Sequence, residues 1–240
     1  MNTRLLMGLE VGKLESNKLI VSPGSLQGWS GVGLDYPVAT TVDLGQIGCL
    51  NGADAVIVPG DLFLYAIHSD TEAGFLASQS KIAGGVTVPA GFTLCRKLPW
   101  GVVYSPTWGG IPDIHVTHWP SPLITLTHSE ATAEYCALSI GAAEDWTDVD
   151  LSPWIPDNAR LAFLMARMKW GGGVSGSSYL RSYSEQTTGQ LVGSVSSSCG
   201  FQTMTTMIRV SSTRKIQYKN NSSGAKLSLY ILGYAMTEPA

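Results

Sequence analysis

The stretch "DLFLYAIHS" at residues 61–69 carries the clearest fold signal in the chain. Phe63, Tyr65 and Ile67 alternate with three further apolar residues, so a strand here is apolar on both of its faces. Such a strand is typical of a central position in a sheet that is covered on both sides. The stretch therefore predicts a central β-strand.

Short strand signals continue on both sides of this stretch. "ADAVIVPG" (53–60) is an apolar run closed by a turn, and "VPAGFTLCRKLPWGVVYS" (88–105) reads as two strands that "LPWG" separates. Alternation within 88–105 puts Arg96 and Lys97 on opposite faces, which argues against a joint basic site. The prolines at positions 89, 99, 106, 112, 120 and 122 keep each strand of this region short.

The second part of the chain shows the same spacing. Residues 160–170 have the propensity of a helix, but their flanking turns equally suit a strand, and both interpretations remain open. "KIQY" and "LSLYILGY" flank "KNNSSGAK" and predict a hairpin. Short strands that recur every 8–12 residues or so indicate a sandwich or a barrel.

These signals predict an all-β protein with two β-sandwich regions of jelly-roll-like type. We expect a short N-terminal arm or attachment segment over residues 1–34, with "VSPGSLQGWSGVG" as an irregular linker. A β-structured domain is expected over residues 35–145, and a C-terminal β-sandwich domain over 146–240.

Charge and hydropathy exclude several classes of function. Charged residues make up 14% of the chain, against about 25% in a typical soluble domain. Residues 1–145 hold 6 basic and 13 acidic residues, and residues 146–240 hold 9 and 5, so no nucleic-acid platform is indicated. No stretch approaches the roughly 20 apolar residues of a membrane helix, and the first residues do not resemble a signal peptide. We expect folding in a cytosol without membrane insertion.

Three motifs are similar to catalytic or metal-binding motifs, but each departs from the pattern that its chemistry needs. His115 and His118 form an HxxH, but on a strand this odd spacing sends the two side chains to opposite faces. "GVSGS" around Ser175 departs from the GxSxG of a nucleophile elbow. "EDWTDVD" (144–150) lacks the spacing of an EF-hand and is better explained as a solvated acidic loop. We expect no enzyme, no cofactor and no metal.

The cysteines and the glycosylation patterns give little functional information. Four cysteines stand far apart without CxxC spacing, and buried free thiols are the expected state of Cys95 and Cys136. One disulfide is possible, but the sequence cannot pair it. "NNS" and "NSS" begin at Asn220 and Asn221 and match the glycosylation pattern, which means little without a signal peptide.

Tryptophan is the residue type with the strongest indication of a binding surface. Seven tryptophans are many for 240 residues, and aromatic side chains near turns stack on sugars or dominate interfaces. Trp108 in "SPTWGG" and Trp119 in "THWPSP" lie in turn-rich surroundings, and we select them as candidates for a receptor site or interface. Burial in a core or a subunit interface is the alternative.

Residues 61–116 carry a series of β landmarks. "LFLYAIH" is an aromatic strand, "GFLASQS" follows it, and "VPAGFTLCRKLPWGVVYS" comes next, before "GGIPDIHV". This series resembles the β-structured part of bacteriophage tail-fibre and related virion proteins. Residues 146–168 resemble the start of the sandwich module that often closes such chains, and "LSLYILGYAM" resembles its last strand. The family's usual "RIG" is replaced by "KLPWG", and its long shaft is absent.

The resemblance implies a structural component of a bacteriophage virion. A compact tail-fibre or receptor-binding protein for host attachment is expected, assembled in the host cytoplasm and located in the virion. Its partners would be itself in a homotrimer, other tail, baseplate or head proteins through residues 1–34, and a host surface glycan or protein. The alternatives are a head or collar decoration without a receptor role, a carbohydrate-binding module and, with least support, a tail glycan depolymerase.

Overall fold

The structure is a computed structural model, and it confirms the predicted all-β class. It describes residues 6–28, 33–105, 110–117, 123–126, 133–170, 175–182, 189–195, 201–222 and 224–236. Over these ranges the chain forms strands, two short 3-10 turns and no α-helix. The chain divides into two compact units, one within residues 1–124 and the other within residues 125–236.

The first unit holds eleven strands among its described residues. They are β1 (Leu6–Gly8), β2 (Val11–Glu15), β3 (Lys18–Val21), β4 (Gly24–Gln27), β5 (Gly33–Tyr36), β6 (Thr40–Asp43), β7 (Gly52–Ala53), β8 (Gly60–His68), β9 (Ala73–Ser78), β10 (Thr93–Tyr104) and β11 (Ile114–Thr117). Within this unit the strands pair in the orders β1-β4-β5, β10-β8-β9-β7 and β11-β2-β3-β6. All of these pairings are antiparallel except that of β7 with β9.

The central position predicted for residues 61–69 is confirmed. β8 lies between β9 and β10, and Leu62–Ile67 are at most 1% exposed on both faces of the strand. Phe75 of β9 stacks on Tyr36, with 4.5 Å between the ring centroids. Burial of this many large apolar side chains is the dominant stabilising contribution of the unit.

The predicted break at "LPWG" is wrong, because β10 runs without interruption from Thr93 to Tyr104. Its register on β8 shifts between Leu94 and Arg96 and again between Lys97 and Gly101, so the turn-forming residues are absorbed as irregularities within one strand. Arg96 is buried and donates to the Gln27 carbonyl at 3.1 Å.

Lys97 takes a different route from Arg96. Its Nζ lies 3.6 Å from the centre of the Phe63 ring and donates to the Lys81 carbonyl at 3.0 Å. The two cations therefore diverge, as the alternation predicted, and they form no joint site.

Two further local predictions are wrong. Residues 54–59 form no strand after β7, and Val56 and Val58 are exposed. Residues 24–27 and Gly33 lie in the segment predicted as an irregular linker, but residues 24–27 pair antiparallel with residues 33–36 as β4 and β5. Burial of Leu26 and Tyr36 explains this pairing, because each strand contributes an apolar side chain to the core of the unit.

The second unit is built from eight strands, and β12 (Leu123–Leu126) lies where the two units meet in sequence. The eight are β13 (Cys136–Gly141), β14 (Thr147–Asp150), β15 (Ala159–Trp170), β16 (Gly176–Ser182), β17 (Gln190–Val195), β18 (Phe201–Arg209), β19 (Lys215–Asn220) and β20 (Ala225–Met236). One sheet contains β18-β15-β20 with β13 paired to β20, and the other has the order β14-β19-β16-β17.

Residues 159–170 are a strand, which decides the choice that the sequence left open. Ala162, Leu164, Ala166 and Met168 are fully buried, while the residues between them are half-buried or exposed. β16, β19 and β20 show the same alternation. This pattern is typical of two sheets that bury one face each in a common core and leave the other face outside.

Candidate ligand-binding groove

A row of large and charged side chains crosses the outer face of the β18-β15-β20 sheet. Lys169 of β15 lies directly opposite Phe201 of β18 on one side and Lys226 of β20 on the other. Two residues before Lys169 on β15, and therefore on the same face, Arg167 lies opposite Ser228. Directly opposed residues of antiparallel strands share a face, with Cβ atoms about 4.5–5.5 Å apart. The register therefore gathers three cations at one end of the sheet.

These side chains line an open depression of about 270 Å³, which we call the basic groove. Its lining also includes Tyr230 of β20 and Ile140 of β13. Phe201 is 61% exposed, and the Arg167 guanidinium carbon lies 4.8 Å from the centre of its ring. The basic groove thus combines positive charge, aromatic surface and the Ser228 hydroxyl.

Acidic side chains do not line the basic groove within the described part of the chain. There, too, Arg167, Lys169 and Lys226 take part in no ion pair. Residues 171–174 and 196–200, which adjoin β15 and β18 in sequence, contain no charged residue. Because like charges directly opposite each other destabilise a sheet, the pairing of Lys169 with Lys226 is unfavourable for stability.

Ile140 adds a second unfavourable feature to the same groove. Its φ is 53°, in the left-handed region that a β-branched residue seldom adopts, and its side chain is 59% exposed. The Ile140 N–H donates to the Ser228 hydroxyl at 3.1 Å, which fixes this conformation beside the cations. Backbone strain of this kind clusters at functional sites.

Asn220 holds together the strand ends beside the basic groove. Its side chain is 1% exposed, and its Nδ2 donates to the carbonyls of Gly141 and Ala225, at 3.0 Å each. Its Oδ1 accepts from the Ser178 hydroxyl at 2.5 Å. Gly141 follows Ile140 and Ala225 precedes Lys226, so one buried amide connects both margins of the basic groove to the second sheet.

The burial of Asn220 also excludes one of the two candidate glycosylation sites. Asn220 is buried and both of its amide hydrogens are already donated, so it cannot carry a glycan in the folded protein. Asn221 is exposed, and its Oδ1 accepts from the Ser177 N–H at 2.7 Å.

The two tryptophans selected from the sequence, Trp108 and Trp119, lie outside the described residues, as does His118. The backbone of His115 is described in β11, where it pairs with Gly12. Ser175 is exposed and immediately precedes β16, without a helix after it.

The acidic cluster of residues 144–150 does not form a pair of free carboxylates. Asp148 accepts from Gln217 at 2.8 Å and from Lys215 at 3.2 Å, and these partners hold its pKa below the usual range. Asp150 accepts from the backbone N–H of Ser152. Both carboxylates are exposed and engaged in local structure, but they lie on β14, so the predicted loop is wrong for residues 147–150.

Trp146, which immediately precedes β14, is in contact with cations of its own unit. The Arg181 guanidinium carbon lies 4.2 Å from its ring centre, and Lys219 Nζ lies 5.1 Å from it. Arg181 is fixed by a 2.8 Å hydrogen bond from its Nε to Gln217. This tryptophan therefore braces the outer face of the β14-β19-β16-β17 sheet.

The described cysteines are Cys49, Cys95 and Cys136, and all three are free thiols. Cys95 is buried as predicted, Cys136 is half-buried, and burial raises the pKa of both thiols, which makes them poor nucleophiles at neutral pH. Among the described residues, no cluster of three or more His, Cys, Asp or Glu side chains is arranged to hold a metal ion.

Neither a scan of the sequence against protein-family models nor a search of the curated proteins finds a match. No helix among the described residues is long and apolar enough to cross a membrane.

Proposed function

We propose that this chain is a compact tail-fibre or receptor-binding component of a bacteriophage virion and attaches the particle to the host surface. The proposal starts from the sequence resemblance and is supported by the all-β fold. The basic groove is the observation that carries the binding role, because it is open, chemically distinctive and built at a cost to stability. Adhesion needs such a surface and requires no catalytic group.

A carbohydrate-binding module is the second candidate function. The same groove supports it, since an exposed aromatic ring beside hydrogen-bonding groups is a common surface for a sugar. A tail glycan depolymerase receives no support from Asp148 and Asp150, whose carboxylates are bound within the fold.

Electron microscopy of virions labelled with antibodies against the purified chain tests the proposal. Label at the tail tip or baseplate is the expected result, and excess free protein should then reduce adsorption of particles to host cells. Label on the head or collar would instead identify a decoration protein. Absence of the chain from purified particles would overturn the virion assignment and leave the carbohydrate-binding module.

Light scattering of the full chain tests the expected homotrimer separately. A trimer mass would support attachment through several weak sites that act together. A stable monomer at micromolar concentration would contradict the trimeric arrangement.

A further inference from the structure

We infer that the basic groove binds an acidic sugar unit of a surface polysaccharide. This inference rests on the proposed attachment function and specifies its ligand class. The cations would pair with the acidic group of the sugar, and the exposed aromatic ring would contact the face of the sugar ring.

The charge pattern suits an anion. Lys169 and Lys226 face each other across the strand pair, and Arg167 lies two residues from Lys169 on the same face, about 7 Å away along the strand. An anionic group placed among them would turn a repulsive cluster into a set of charge-assisted hydrogen bonds. Carboxylate and phosphate groups both suit this arrangement, because guanidinium binds either one in a bidentate way.

The remaining lining favours a sugar over a bare ion. Phe201 and Tyr230 provide aromatic surface, and the Ser228 hydroxyl can exchange hydrogen bonds with ring hydroxyl groups. Ile140 projects as an exposed apolar side chain from a strained backbone, which gives the groove a lip that a small anion would not use. The depression of about 270 Å³ is small, so it fits one sugar unit better than a larger ligand.

A nucleic acid is also anionic and stacks on aromatic rings, but the distribution of cations disfavours it. Nucleic-acid grooves follow a phosphate backbone with a stripe of positive charge. Here the described cations of the basic groove occupy one end of the sheet, and the outer positions of β15 beyond them are Met165, Phe163 and Leu161. The charge is local, as one acidic group requires.

Isothermal titration calorimetry on the full chain at low salt tests the inference with defined probes. Oligogalacturonate supplies a carboxylated sugar, a phosphorylated oligosaccharide supplies the second acidic group, dextran is the neutral analogue, and inorganic polyphosphate and single-stranded DNA are the non-sugar polyanions. We expect binding to at least one acidic saccharide and none to dextran. The saccharide that binds identifies the acidic group.

Two lysine variants test the location of the site. Lys169→Gln and Lys226→Gln should each weaken binding about tenfold, the loss expected for one charge-assisted hydrogen bond. Neither should lower the melting temperature, because each removes a like-charge contact. Arg209→Gln is the matched control: it removes one exposed charge at the opposite end of β18 and should change affinity less than about twofold.

Phe201→Ala tests the sugar assignment. It should weaken binding of the acidic saccharide more than any binding of polyphosphate. Both ligands would lose the ring that packs against Arg167, but only a sugar ring also contacts the aromatic face.

Three results would overturn the inference. They are the absence of binding to every acidic saccharide, lysine variants that bind like the parent chain, and equal affinity for polyphosphate and saccharide with no effect of Phe201→Ala. Tail labelling by microscopy together with any of these results would remove the groove assignment and leave the attachment function in place.

Discussion

Replacement of Asn220 by alanine should destabilise the second unit strongly. The change removes three hydrogen bonds of a side chain that is 1% exposed. The amide of Asn220 donates two of them, to the carbonyls of Gly141 and Ala225, and accepts the third from the Ser178 hydroxyl. A typical hydrogen bond contributes about 1 kcal/mol net, and a buried group left unpaired costs about 1–3 kcal/mol. Water that enters the vacated space would recover part of this, so we expect a loss of about 2–4 kcal/mol.

Urea unfolding followed by tryptophan fluorescence measures this loss. A decrease of about 3 kcal/mol is a large share of the roughly 5–15 kcal/mol that stabilises a folded domain. At about 2–4 °C per kcal/mol for a protein of this size, the melting temperature should fall by about 6–12 °C.

Asn221→Ala is the matched control, because it makes the same substitution at the next position. Asn221 is exposed and its Oδ1 accepts a single bond from Ser177, which water can replace, so the loss should stay below about 1 kcal/mol.

Asn220→Asp separates hydrogen bonding from volume. It keeps the size of the side chain but removes the amide donors and faces two carbonyl oxygens with a carboxylate at pH 7. It should destabilise at least as much as alanine. If Asn220→Asp keeps full stability at pH 7, or if the two alanine variants unfold alike, the reasoning is wrong.

Three further predictions concern both units. Gly101→Ala should lower stability by about 1–3 kcal/mol in thermal unfolding, because the added Cβ would lie 2.8 Å from Cδ1 of Phe63. An unchanged melting temperature would instead favour the turn that the sequence predicts at "LPWG". Burial, assisted by Asp54, raises the pKa of Tyr65 to about 12. Because tyrosine in the unfolded chain ionises near pH 10, the stability contributed by the neutral Tyr65 side chain should be complete below about pH 10 and be lost between about pH 10 and 12. A phenolate absorbance titration compared with that of Tyr65→Phe checks this, and ionisation of Tyr65 near pH 10 would refute it. The lowered pKa of Asp148 predicts a contribution that is present above about pH 4 and lost as pH falls below it; Asp148→Asn should therefore lower stability by less than about 1 kcal/mol at pH 7 and by nothing near pH 2, and an equal loss at both pH values would contradict it.

The pattern of apolar residues predicted a strand correctly where the neighbouring residues in sequence determine how deeply each side chain is buried. β8 is the clearest case, since six consecutive apolar residues can be buried only between layers. The same reasoning failed at residues 54–59, where apolar side chains are exposed, because pattern alone does not show whether a partner strand is present. It also failed at Pro99–Gly101, because an irregularity inside a strand and a turn between strands use the same residue types.

The basic groove depends on information that no local pattern contains. Lys169 and Lys226 are remote in sequence, and only the register of β15 on β20 places them opposite each other. A shift by one residue would move the whole set to the other face of the sheet. The alternation within "LSLYILGY" and the predicted hairpin could have placed Lys226 on an outer face, so the available signal was a lysine beside a turn without an acidic neighbour in sequence.

The register also explains why the like-charge pair persists. The inner faces of β15 and β20 are filled by fully buried residues such as Met168 and Leu227, so the core fixes the alignment that brings Lys169 against Lys226. A glutamate at position 226 would satisfy the same register and form a cross-strand ion pair. Lys226→Glu should therefore raise stability while it abolishes binding of an acidic saccharide. A variant that gained stability and still bound would show that the cations of the basic groove serve some purpose other than ligand binding.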